Sequence, residues 1–204
     1  MVTLTSAGSD AEILSLVSRY GPDVVVAVNA PLTIPRGRCC LDDDCRCRHD
    51  PGTRSRQVER DLLRMSVPTL ATALLKVLAR RGQRIAAELR LAGMKPLEVY
   101  PFATLRLLGL PTQGKRTEAG RRRIHNALQP LVLGLDHPGA SEHQLDAVVC
   151  AFTAHLWRLG LTTTVGVEDE GLMVIPSGSA RAALAEPAEM RRVAQRRSAY
   201  EVEL

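Results

Sequence analysis

Residues 24–32 read VVVAVNAPL. Val24 to Val28 form a short, continuous apolar run, rich in β-branched side chains. Turn residues bound it, Gly21-Pro22-Asp23 before and Pro31 after. Such a run reads as a buried strand of the kind that parallel sheets use. Asn29 stands at its carboxyl end. It either caps a turn or occupies a place where a metal-binding carboxylate would be expected.

Working outward, the chain alternates helical and strand-like segments, which predicts an α/β sheet domain. Ser9 or Asp10 caps a first helix that runs to about Tyr20, with Ile13, Leu14, Leu16 and Val17 on its apolar face. Pro31 to Arg54 is irregular and carries four of the five cysteines. Helical spacing returns at Ser55 to Ser66 through Val58, Leu62 and Met65. It continues over Thr69 to Arg81 through Leu70, Leu74, Val77 and Leu78, and after Gly82 through Ile85, Ala86 and Leu89. Pro96 to Tyr100 is a second strand, followed by a short helix from Phe102 to Leu108. A helix leading to Leu133 follows the basic segment that starts at Lys115.

Ser141 to Leu159 is the clearest helix. Ser141 and Gln144 have capping-box spacing, and Leu145, Val148, Phe152, Leu156 and Leu159 recur every three or four residues. Val165 to Val167 and Leu172 to Ile175 flank Glu168-Asp169-Glu170-Gly171 as a hairpin. Ser179 to Ala199 is an Ala- and Arg-rich edge helix.

Composition sets limits. The 204 residues fit a single domain over 1–204, with a Cys-rich loop at about 33–54. Aromatic residues make up only 3% of the chain, which argues against a platform of stacked rings for single-stranded nucleic acid. The net charge of +5 tolerates a polyanionic partner without demanding one. No apolar run approaches the ~18 residues of a membrane span, and the start has no signal-peptide pattern. The expected location is cytoplasmic, where five cysteines are not a disulfide framework.

Four constellations carry chemistry. Cys39, Cys45, Cys47 and His49 lie close enough in sequence to surround a zinc ion, and Cys40 adjoins them. No CxxC pair occurs, and adjacent Cys39 and Cys40 do not easily share one ion. The spacing therefore favours incidental loop cysteines or a redox-labile pair. Glu98, in LEVYP, either serves a ligand site at the carboxyl end of a strand or pairs with an arginine. His143 and Asp146 share a helix face, and the helix dipole alone accounts for Asp146 unless a second carboxylate such as Glu98 faces it. Lys115, Arg116, Arg121, Arg122 and Arg123 either contact phosphates or form a solvated face. No phosphate-binding glycine loop, dinucleotide fingerprint or hydrolase motif appears.

Taken together, VAVNAPL (26–32), Arg56 to Glu59, LEVYPFA (97–103), LDAVVCAFTAHLW (145–157) and GVEDEGLMVIP (166–176) resemble a prokaryotic domain-of-unknown-function family predicted to be RNase H-like nucleases. The resemblance spans most of the chain. It implies an RNase H-like α/β sheet with flanking helices and metal-dependent phosphodiester hydrolysis. Mg²⁺ or Mn²⁺ would be held by Glu98 and Asp146, with Asn29 and His143 as further catalytic positions. It also implies that Arg56 contacts a phosphate or pairs near Glu59.

Two departures stand out. Asn29 falls where the family has aspartate. The family's first strand, which bears the central aspartate of RNase H-like folds, has no counterpart before the first helix. The implied metal centre is therefore depleted and the implied enzyme weakened or inactive. The expected sheet also has an open edge that favours self-association. The alternative is a non-catalytic nucleic-acid or protein-interaction domain that uses the basic run. A nucleotide-handling α/β protein is a third reading, which the missing glycine loop opposes.

Overall fold

The computed structural model describes residues 3–49, 54–136 and 139–185. Helix α1 (Asp10–Ser18) starts at a complete capping box, in which Ser9 and Glu12 satisfy each other's backbone N–H groups. Strand β1 (Ala27–Val28) follows, then the long irregular segment, α2 (Gln57–Arg64), α3 (Lys76–Leu91) and β2 (Leu97–Val99). Helices α4 (Pro101–Leu107), α5 (Glu118–Leu128) and α6 (Glu142–Arg158) lead to the hairpin β3 (Thr162–Val167) and β4 (Gly171–Pro176), and to α7 (Gly178–Ala185). The remainder of the edge helix expected to Ala199 lies outside the described residues.

The four strands form an open sheet in the order β1-β2-β4-β3. β1, β2 and β4 are parallel and β3 is antiparallel to β4. Side chains alternate across it. Ala27, Leu97, Val99 and Val174 pack towards Cys150 of α6. Met173 and Ile175 face the opposite way, onto Val58 and Leu62 of α2. Glu98 is in register with Met173 and so lies on the α2 face.

Three expectations need correction. The Val24–Val28 strand is ordered as a strand only at Ala27–Val28 and is half-buried. Among the described residues it lies at the sheet edge with a neighbour on one side only, and Val24 and Val26 pack instead against Ile85, Leu89 and Met94. The stripe Leu70, Leu74, Val77, Leu78 is not a core face. Leu74 and Val77 are 72% and 83% exposed, and only a short 3₁₀ turn at Thr72–Leu74 precedes α3. Gly82 does not interrupt α3, which runs on to Leu91 and ends before Gly93 in the left-handed region at φ +80°. Gly82 has a different cause. A Cβ there would stand 2.7 Å from Ala30 Cβ and 2.9 Å from the Pro31 carbonyl oxygen, so the missing side chain lets α3 close on the turn that follows β1.

Helix α6 begins as the sequence predicts. Ser141 Oγ accepts from Gln144 N and Gln144 Oε1 accepts from Ser141 N. Its inner face buries Leu145, Val148, Phe152 and Leu156, each worth about 1.5–3 kcal/mol when removed from water. No described helix is long and apolar enough to cross a membrane.

Candidate functional site

The carboxyl ends of β1 and β2 meet at Asn29 and Tyr100, and two cavities open there. The first, of about 250 Å³, is lined by Asn29, Arg56, Glu59, Glu98, Tyr100 and the apolar side chains of Leu70, Leu75 and Leu78, among others. The second, a cleft of about 550 Å³, is bounded by Asn29, Tyr100, Lys115, Arg116, Glu142 and Asp146, among others. Asn29 and Tyr100 form the shared wall. The Tyr100 hydroxyl donates to the Pro68 carbonyl at 3.2 Å, which fixes the ring.

Below the first cavity lies a buried ionic network. Arg56 precedes α2 and is only 1% exposed. Its Nε and Nη2 donate to Glu59 Oε1 at 2.9 and 2.8 Å. Nη2 also donates to Glu98 Oε1 at 2.5 Å, and Nη1 to Glu98 Oε2 and Thr33 Oγ1, each at 2.8 Å. All five guanidinium N–H donors are thereby used. Leu32 N donates to Glu98 Oε2 and Thr72 Oγ1 to Glu59 Oε1, both at 2.8 Å. Burial works against the Arg56 charge, but the Glu98 and Glu59 carboxylates prevail and hold the guanidinium protonated beyond its ordinary range. Of the two readings of Glu98, pairing with an arginine is the one observed.

In the second cleft Lys115 Nζ donates to Asp146 Oδ1, and Asn29 Nδ2 reaches Asp146 Oδ2 at 3.5 Å, the long end of a hydrogen bond. Burial raises the Asp146 carboxyl above its ordinary value, and Lys115 only partly offsets this. The Tyr100 phenol is also raised, by burial and by the Asp146 charge. Burial pushes the Cys150 thiol up to about 12, so it is an inert core thiol.

The other sequence-predicted positions are dispersed. His143 is exposed on the first turn of α6. Arg116 lines the cleft and its carbonyl accepts from Arg121 at 3.2 Å. Arg122 pairs with Glu118 at 2.7 Å, and Arg123 is exposed. The thiols of Cys39, Cys45 and Cys47 converge and are joined by Cys40. The side chain of His49 lies outside the described residues. Sequence reasoning did not single out Tyr100, Thr33 or Thr72. Tyr100, directly after the strand in LEVYP, was the legible one. The two threonines gave no pattern. Glu170, read only as a hairpin turn, is buried and accepts from the backbone N–H groups of Arg36 and Gln57 and from Arg60.

The donor set does not fit a two-metal centre. Glu98 and Asp146 open on different cavities. Both oxygens of Glu98 are engaged by Arg56, and an ammonium group already sits on Asp146. Mg²⁺ asks for convergent oxygens with negative charge to spare. The arrangement instead presents a cleft with two cationic side chains, Lys115 and Arg116, and two carboxylates, Glu142 and Asp146, beside the parallel strand ends. Open α/β sheets bind ligands at such ends.

No curated protein and no solved structure matches the chain. The family described as "Protein of unknown function (DUF429)" matches residues 4–170, and the chain belongs to that family.

Proposed function

We propose that this protein is an RNase H-like domain that binds the phosphodiester backbone of a nucleic acid in the cleft between Asn29, Lys115 and Asp146, without two-metal hydrolysis. One observation carries this reading. The strand-end cleft places Arg116 beside Lys115, which is already paired with Asp146, while both oxygens of Glu98 are occupied by Arg56. Exposed Arg122 and Arg123 on α5 extend the basic surface. The parallel β1-β2-β4 core with flanking helices supports the RNase H-like part of this reading.

The test is fluorescence anisotropy with labelled single-stranded DNA, single-stranded RNA, duplex, hybrid and junction oligonucleotides in divalent-free buffer. Binding is expected to weaken steeply with salt and to fall about tenfold or more in Lys115→Ala/Arg116→Ala. Absence of binding across the panel, or binding indifferent to that pair, overturns the proposal.

A second reading is metal-dependent hydrolysis with Mg²⁺ or Mn²⁺. It draws on the placement of Asn29 and Asp146 at the carboxyl ends of the sheet. Resolving the same samples on gels after adding either ion decides between the two. Cleavage that disappears in Asp146→Asn would replace the binding reading.

A further inference from the structure

The segment between β1 and α2 holds four thiols in one group. The sulfurs of Cys39, Cys40, Cys45 and Cys47 all lie within 4.8 Å of one another, and Cys39 Sγ is 3.4 Å from Cys45 Sγ. A tetrahedral zinc ion with Zn–S bonds of about 2.3 Å needs sulfurs about 3.8 Å apart. The group brackets that edge. A disulfide needs sulfurs about 2.05 Å apart, and none of these cysteines forms one.

The backbone is arranged to hold the thiols there. Arg38 Nε donates to the Cys40 carbonyl at 2.9 Å and Nη2 to the Asp42 carbonyl at 3.2 Å, folding the loop around one guanidinium. Leu41, between the cysteines, is 3% exposed and anchors the turn in the core. Asp42 and Asp43 form ion pairs with Arg80 and Lys76 of α3. Four thiolates around a divalent ion carry two net negative charges, and Arg38, bound to the loop's own carbonyls, supplies a cation beside them.

We propose that Cys39, Cys40, Cys45 and Cys47 form a closed, structural four-thiolate zinc site. Each ligating thiol releases its proton as the Zn–S bond forms. Soft sulfur donors without a carboxylate or imidazole select zinc over Mg²⁺ or Ca²⁺. Four protein ligands leave no open position, so the ion stabilises rather than catalyses. Its role is positional. The loop leaves the Asn29 turn and returns at Arg54, whose carbonyl accepts from Ala73 N at 3.2 Å, two residues before buried Arg56. The metal would fix the cysteine loop against α3, where Asp42 and Asp43 pair with Arg80 and Lys76.

The full chain, purified without chelator from zinc-supplemented medium, is assayed for metal by mass spectrometry. About one zinc per chain is expected. Cys39→Ser/Cys45→Ser is expected to lose at least about tenfold of that content, and Cys150→Ser to retain it. Replacing zinc with Co²⁺ in the unaltered protein should give thiolate-to-cobalt charge-transfer bands with tetrahedral d–d bands. That readout does not depend on a variant that folds. Zinc below about a tenth of an equivalent, full zinc in the double variant, cobalt spectra without thiolate bands, or cysteines 39–47 recovered as disulfides would each overturn the proposal.

Discussion

Arg56 touches Thr33, Glu59 and Glu98 and is almost wholly buried. Truncating it would leave two buried carboxylates facing each other without a counter-charge. Arg56→Ala is therefore expected to cost about 3–5 kcal/mol, read as a lowered midpoint in urea unfolding. Lysine offers three donors on one point against five on a fork, so Arg56→Lys should recover only part of the loss. Asp146 sends the opposite signal. Its raised carboxyl means that the folded protein binds that proton more readily than the unfolded chain. Its stabilising contribution is complete below the ordinary value of 3.8 and is lost as pH rises through the raised value. At neutral pH the charged form weighs against the fold. Asp146→Asn is expected to melt higher than the parent at pH 7, with the gap closing as pH falls towards 3.8, in thermal scans across that range. A charge kept at a cost to stability is a feature of binding sites. At this scale the sequence showed the residues but not their partners. Glu98 pairing with an arginine was one of two open readings, because a strand residue gives its face without saying what meets it.

Elements with local signals were the most legible. The caps of α1 and α6 depend on residues three apart: Ser141 and Gln144 form the box that their spacing predicts, and of Ser9 and Asp10 it is Ser9 that caps α1. The β3-β4 hairpin is likewise a local event around its acidic turn. Helix α3 was misread because its logic is not local. Leu70, Leu74, Val77 and Leu78 have helical spacing, but spacing cannot say whether a neighbour arrives to cover it. Gly82 looked like a stop, yet its reason sits some fifty positions earlier at Ala30 and Pro31. Gly82→Ala tests this. Alanine favours the helix by about 1 kcal/mol. The overpacked methyl costs about 1–3 kcal/mol because backbone as well as side chain must yield. The expected result is a net loss seen as a melting temperature lower by a few degrees, where an exposed helix glycine would give a gain.

Over the whole molecule, the family relationship and the α/β sheet were readable from motifs spread along the chain. The convergence of Cys40 with the other thiols was not, because sequence adjacency argues against it and only the loop's path allows it. Charge belongs to this scale too. If the cleft and α5 follow a nucleic-acid backbone, the logarithm of affinity should fall linearly with that of salt. The slope should lessen by about 0.7–0.9 for each phosphate-contacting cation removed at Lys115 or Arg116, measured by titration from low to high salt. The Arg56 network has a consequence of another kind, in time. Thr33 and Glu98, 23 and 42 positions from Arg56, must both arrive before the guanidinium can shed its water. Its formation is then a late step, after the barrier to folding. Weakening it should leave the refolding rate nearly unchanged and hasten unfolding, so that Arg56 sets how long the native state persists.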